Sequence, residues 1–349
     1  MSENGTAGGL LERLDAGPVI CAEGYLFEFE RRGYLQAGSF VPEIVLERPD
    51  LVRVLHEEFV HAGSDVVLAF TYYGHREKLR VIGKEDLLEP LNRDALALAV
   101  EVARATDTLA AGDLCNTNAY APDRESELAV RRMFDEQMEW IAQSSVDYVV
   151  AETFSYAAEA LIALEAIKAA GLTAVMTLAI HQAESTRDEL SPEDACRRLA
   201  DAGADVVGLN CIRGPQTMMP LIERIRASVD VPVAALPVPY RTTAEQPSFQ
   251  SLRDPGCDCL PGDRPFPTAL DPFTCNRYEL GEFARSAHAL GVDYLGVCCG
   301  AGAHHIRSLA EALGRTPPAS RFSPDMSKHA FLGSDALLKE HNREYATEL

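Results

Sequence analysis

The stretch Asp293-Tyr-Leu-Gly-Val-Cys-Cys-Gly-Ala-Gly-Ala-His-His-Ile-Arg-Ser-Leu-Ala-Glu-Ala-Leu313 decides the fold. Asp293 to Val297 is a short apolar run, as a buried strand requires. Two cysteines and a glycine end it, and residues 304 to 313 read as a helix. Strand, turn and helix together make one unit of an α/β repeat. The phrase that leads into this strand, Leu290-Gly-Val-Asp-Tyr-Leu295, is echoed by Ala202-Gly-Ala-Asp-Val-Val207. Each is a helix end turning into a strand, as the architecture demands.

Working outward, the same unit recurs along the chain. Strands are predicted at 18–22, 65–70, 108–112, 147–151, 174–178, 205–209, 231–236 and 293–297. Helices are predicted at 49–62, 93–106, 123–144, 156–170, 191–202, 215–228, 279–290 and 304–313. Pro49 suits a first helical turn and Gly63 closes that helix. Ser191-Pro-Glu-Asp194 resembles a capping box. Eight strands alternating with helices imply parallel pairing through crossovers. The expected fold is α/β: a closed (β/α)8 TIM barrel, with an open doubly wound sheet as the alternative. Residues 237–277 interrupt the rhythm with Pro, Gly and Asp, giving a long loop before strand eight, of the kind that serves as a lid. The barrel is assigned to 1–316. A tail at 317–349 is read as a packing arm or oligomer contact, with a homodimer as the assembly considered.

The chain has 349 residues, a net charge of −21 and nine cysteines. The acidity argues against nucleic acid and anionic membranes, which call for basic patches. No apolar run approaches the ~20 residues of a membrane span. The amino terminus lacks a signal pattern, so the cytoplasm is expected. There, clustered cysteines point to metal or catalysis rather than disulfides.

Active sites of such barrels lie at the C-terminal ends of the strands. Strand six ends in Asn210-Cys211 and strand eight in Cys298-Cys299. Three thiols on one rim suit Zn2+, which prefers four ligands and so keeps one position for a substrate. Strict alternation points Cys298 and Cys299 to opposite faces, so both ligate only if the strand ends there. Three buried cysteines serving as small apolar groups is the alternative. An all-thiolate zinc suits activation of a substrate thiol better than of water, which points to S-alkylation. Cys257, Cys259 and Cys275 lie in the long loop and are read as free thiols. Met218-Met219 reads as packing, and His304 as a loop residue.

These residues resemble the homocysteine S-methyltransferase family, nearest its betaine-using branch. The resemblance rests on Asn210-Cys211, on Gly296-Val-Cys-Cys-Gly300 with His305-Ile-Arg307, and on Arg32-Gly-Tyr34. It extends to Leu55-His-Glu-Glu-Phe59, Phe70-Thr-Tyr-Tyr73, Ala151-Glu152 and Pro317-Pro-Ala-Ser320. It implies a Zn2+ cofactor on Cys211, Cys298 and Cys299. It implies homocysteine as acceptor, with its amino group held by Glu152, and a donor methylammonium near Tyr73. Asn210 would hydrogen-bond beside the site. The family's Asp-Gly-Gly after strand one is Ala22-Glu23-Gly24 here, so its acid is missing and Glu23 stands one residue later. A donor-site tryptophan is Phe40 here, and a tyrosine is Thr153. The predicted cation cage is weaker or differently shaped, with Tyr25, Tyr72 and Phe154 able to rebuild an aromatic wall. The expected substrate set is therefore Glu23, Gly24, Phe40, Tyr73, Glu152, Thr153 and Asn210. The expected reaction moves a methyl group from a betaine-like quaternary ammonium to homocysteine, giving methionine. The alternatives are a sulfonium donor such as S-methylmethionine, or a zinc-binding barrel without turnover.

Overall fold

The structure, a computed structural model, describes residues 8–256, 263–322 and 325–349. Eight parallel strands close into a barrel in sequence order. They are β1 (Val19–Ala22), β2 (Val66–Leu68), β3 (Leu109–Cys115), β4 (Tyr148–Phe154), β5 (Ala174–Leu178), β6 (Val206–Asn210), β7 (Val233–Leu236) and β8 (Tyr294–Val297). Closure comes from β1 against β8, where four residue pairs run from Val19–Tyr294 to Ala22–Val297. The quoted stretch therefore supplies the closing strand. Every strand residue is buried, as expected where helices cover the outside and side chains fill the inside. Tyr148 and Tyr294 meet inside, their hydroxyls 3.0 Å apart.

The aspartates that open alternate strands have a structural use. Asp65 accepts the Ile20 amide at 2.7 Å, Asp147 that of Ala110 at 2.8 Å, and Asp205 that of Ala174 at 2.8 Å. Each carboxylate ties its own strand to the preceding one at the N-terminal rim. That leaves the C-terminal rim for chemistry.

The predicted helices are present with small shifts. Pro49–Ala62 runs as predicted, with Gly63 in the left-handed region. Ser191 caps Pro192–Asp201 by accepting the Asp194 amide. Four helices were not predicted: Leu10–Ala16, Tyr25–Arg31, Ile44–Glu47 and Arg76–Ile82. They are short, and too few turns repeat for a period to show. β3 and β4 run three residues beyond their predicted ends. His304 belongs to the Ala303–Ala312 helix rather than to a loop. Met218 is buried, with Met219 packed against the core. Among the described residues, no helix is long and apolar enough to cross a membrane. The tail continues as short turns and a Glu340–Tyr345 helix.

Candidate active site

The strand ends bring the three cysteines together. β6 stops at Asn210, and Cys211 and Ile212 both take positive φ, 57° and 58°. β8 stops at Val297, and a turn closes as the Ala301 amide bonds the Cys298 carbonyl at 3.0 Å. Gly300 sits at φ 93°, and a Cβ there would lie 2.1 Å from the Tyr240 hydroxyl. Only glycine fits that corner. Because the strand has ended, Cys298 and Cys299 both turn inward. The Sγ atoms of Cys211, Cys298 and Cys299 lie within 4.8 Å of one another, and all three residues are buried.

That geometry fits a metal. Thiolates at ~2.3 Å from a common tetrahedral centre stand ~3.8 Å apart, a spacing within that bound. The protonation pattern fits too. Cys298 and Cys299 donate to the Cys211 sulfur and hold its pKa well below the usual thiol range. Burial pushes the Cys298 thiol up, as does its bond to Cys211. Cys299 is pushed up first by that bond. A soft cation would displace the two remaining thiol protons and bind all three sulfurs. A second trio, Glu23, Glu152 and Cys298, also has ligand atoms within 4.8 Å of one another. Its two carboxylates make it the harder and less selective donor set.

Asn210 organises the floor. Its Nδ2 lies 2.6 Å from Glu152 Oε2, 2.9 Å from Thr153 Oγ1 and 3.2 Å from Glu23 Oε2. Its Oδ1 accepts the Thr153 amide at 2.9 Å. Glu152 and Thr153 sit at a register break in β4, with Thr153 at φ 64°. The bulge aims consecutive side chains at one site, which a regular strand cannot do. Thr153 donates to Glu152 Oε2 at 2.9 Å. Burial first, and then the Glu152 carboxylate, raise the pKa of Glu23 well above the carboxylate range; burial first, and then Asp113, do the same for Glu152. Glu23 therefore does reach the site from one residue beyond Ala22. Gly24 follows because a Cβ there would lie 2.2 Å from the Ala301 carbonyl oxygen, in the turn after the cysteines.

Above the cysteines opens a cavity of about 350 Å³ that Cys211 and Cys299 line. Its wall includes Phe40, Tyr72, Tyr73 and Thr153, together with Phe27, Tyr120, Tyr156, Phe249 and Phe266. Phe154 is not part of it. That ring is fully buried and packs edge-on to Phe134 at 6.0 Å, because the bulge sends it outward. Tyr25 also lies deeper than a wall residue, bonded to His56 at 3.0 Å and stacked on Phe70. Phe40 and Tyr73 both take left-handed φ, 54° and 61°, a strain that collects at binding sites. The Lys78 ammonium stands 3.9 Å from the Tyr73 ring centroid, so one face of Tyr73 already meets a cation. The missed aromatics come from Tyr25–Arg31, from loops after β3 and β4, and from the long loop. Tyr120 and Tyr156 could have been read as residues following strand ends. Phe249 and Phe266 gave no such signal. Cys275 is buried and free, and Cys257 and Cys259 lie outside the described residues.

Comparison with known proteins gives the chain's family. The family model described as Homocysteine S-methyltransferase matches residues 24–313. Betaine–homocysteine S-methyltransferase 1 of Danio rerio is 37% identical over 339 residues, 96% of this chain and 82% of that protein. S-methylmethionine–homocysteine S-methyltransferase BHMT2 of Pongo abelii is 34% identical over 341 residues, 95% and 87%. The metallated form of the homocysteine methyltransferase MmuM from Escherichia coli shares the fold, with a TM-score of 0.68 at 18% identity over 86% of this chain and 98% of that one. The chain is thus a methyltransferase and belongs to the homocysteine S-methyltransferase family.

Proposed function

We propose that this chain transfers a methyl group from a small betaine-like onium donor to homocysteine, giving methionine, with Zn2+ held by Cys211, Cys298 and Cys299. The observation that carries this reading is the junction of three buried thiols with an aromatic cavity, Cys211 and Cys299 lining its inner end. A zinc ion bound there would supply Lewis acidity that lowers the pKa of the acceptor's thiol, so that its proton passes to solvent and its sulfur stays nucleophilic.

The remaining work falls to the chain's own side chains. Glu152, fixed by Asn210 and Thr153, takes the acceptor's ammonium, and Glu23 assists from β1. The aromatic faces hold the donor's methylated cation, whose charge they attract without competing as nucleophiles. Arg187 and His181 line the same cavity. The Arg187 guanidinium, 5.9 Å from the Tyr156 ring, suits the carboxylate of a zwitterionic donor. The acceptor sulfur attacks the methyl carbon in line. The carbon–nitrogen bond breaks, and the donor leaves as a neutral amine with the bonding pair. No side chain need give a proton to the leaving group, so alignment in a dry cavity is the main contribution.

A sulfonium such as S-methylmethionine is the second reading. Phe40 offers a smaller aromatic face than the tryptophan of the betaine pattern, and Lys78 already occupies one face of Tyr73. A panel of methyl donors at fixed homocysteine separates the two. Glycine betaine is expected to give the higher kcat/KM, by about tenfold or more, because its ammonium presents three methyl groups to the aromatic faces where the sulfonium presents two. Faster turnover of the sulfonium would reverse the donor assignment. Turnover of neither would remove the donor assignment altogether.

Free thiols at the site suit a reducing compartment, so we place the protein in the cytoplasm. Along the tail Phe322, Leu337 and Leu349 are exposed. That supports reading the tail, 317–349, as a contact between copies in a homodimer, with 1–316 as the catalytic barrel.

A further inference from the structure

Behind the cysteines lies a second, smaller pocket of about 10 Å³. Glu23, Asp113, Glu152, Cys298 and Cys299 line it. Asp113 was not singled out in the sequence, although it follows the strand predicted at 108–112; β3 in fact runs on to Cys115 and places Asp113 within it. Its register explains why it matters. Asp113 pairs with Val150 and Cys115 with Glu152, so Asp113 shares the inward face of Glu152 and stands one layer below it. It is 1% exposed.

This carboxylate is out of place as a structural group. Asp113 Oδ1 has no hydrogen-bond partner, nor has Glu23 Oε1. Among the described residues, no Lys or Arg pairs with Glu23, Asp113 or Glu152. Three carboxylates share one dry pocket, and an unpaired buried carboxylate is costly to keep. Protonation relieves that cost while no cation is bound, and a bound cation would relieve it with the carboxylates ionised. The space has about the size of one water molecule, which an ammonium head matches and a whole amino acid does not. A primary ammonium carries one positive charge and three donors. A metal on Glu23, Glu152 and Cys298 would leave Asp113 unanswered, since Asp113 is not in that ligand group.

We propose that Asp113 is a third carboxylate of the acceptor site, binding the α-ammonium of the thiol amino acid together with Glu152 and Glu23. This rests on the homocysteine reading above. It gives the acceptor a direction: ammonium in the inner pocket, sulfur at the cysteines, and the donor's methyl group approaching from the outer cavity. Cys299 and Tyr72 line both cavities and mark the junction. Asp113 also answers the absence of an acid at Ala22, by supplying one from β3 instead of β1.

The test is calorimetric titration of zinc-loaded wild type and Asp113→Asn with two ligands, homocysteine and 4-sulfanylbutanoate, the same chain without the amino group. Wild type is expected to prefer homocysteine. In Asp113→Asn the Kd for homocysteine should rise about tenfold or more, as for loss of one charge-assisted partner, while that for 4-sulfanylbutanoate stays within about twofold. Melting of the metal-free proteins is the second measurement. Replacing an unpartnered buried carboxyl by a neutral amide should leave the variant at least as stable as wild type. Unchanged homocysteine affinity, equal weakening of both ligands, or a lower melting temperature would overturn the role given to Asp113. A wild type that binds 4-sulfanylbutanoate as tightly as homocysteine would overturn it as well. A wild type that binds neither ligand would overturn the acceptor assignment itself, and this role with it.

Discussion

Replacing Cys298 with alanine is expected to abolish metal binding and methyl transfer together. Cys298 is the hinge of the site. Its sulfur belongs both to the thiol trio and to the group with Glu23 and Glu152. Two thiols alone leave a tetrahedral metal half-ligated. Loss of outer-sphere partners costs 10- to 100-fold in metal affinity or activity, so loss of a ligand should cost on the order of a hundredfold or more. The fold should survive, because the substitution removes one sulfur atom and truncates no packed ring. Metal content by elemental analysis and initial rate should fall in parallel. A variant that keeps full activity without metal would refute the role of the trio.

Replacing Asn210 with alanine should give the largest loss of stability among the site's polar residues. The amide joins Glu152, Thr153 and Glu23 and also accepts the Thr153 amide. Removing it leaves a buried N–H unpaired at a residue already held at φ 64°. It also removes the donor that tempers two buried carboxylates. Each unsatisfied buried group costs about 1–3 kcal/mol, so about 3 kcal/mol is expected for the whole. The pH dependence has a definite sign. Glu23 and Glu152 hold their protons more tightly folded than unfolded, and losing the Asn210 donor raises both pKa values further. A carboxyl whose folded pKa lies above its unfolded value stabilises less as pH rises past the unfolded value, about 4.5. The penalty of Asn210→Ala should therefore grow as pH rises through the raised folded pKa values of Glu23 and Glu152 in the metal-free protein. Denaturant unfolding at several pH values measures it. A penalty that shrinks with pH would contradict the assignment of Asn210 as the carboxylates' donor.

Much of the fold and part of the site were legible because the signals are local. An apolar run that ends in Cys298-Cys299-Gly300 states a strand, its end and a ligand pair within eight residues. The inward turn of both cysteines follows from the strand stopping at Val297, which Gly300 already suggests. Other features depend on pairing between distant segments. That Glu152 and Thr153 face one site needs the bulge against β5, and nothing in Ala151-Glu-Thr-Phe154 announces a bulge. The outward turn of Phe154 follows from the same cause. Asp113 is one acid within an otherwise buried strand. Its meaning comes from Glu152 across one strand and Glu23 from another. Phe249 and Phe266 come from the long loop, where composition states that a loop exists but not which rings it lays over the barrel. The short helices at Tyr25–Arg31 and Arg76–Ile82 escaped for lack of length, although the first delivers Phe27 to the cavity.

The central claim is that Cys211, Cys298 and Cys299 hold a metal whose remaining position receives the acceptor's sulfur. X-ray absorption at the zinc edge, with and without homocysteine, tests it most directly. The account predicts three sulfur neighbours without homocysteine and four with it, each at ~2.3 Å. A count that stays at three when homocysteine is bound, or a first shell dominated by oxygen, would contradict it.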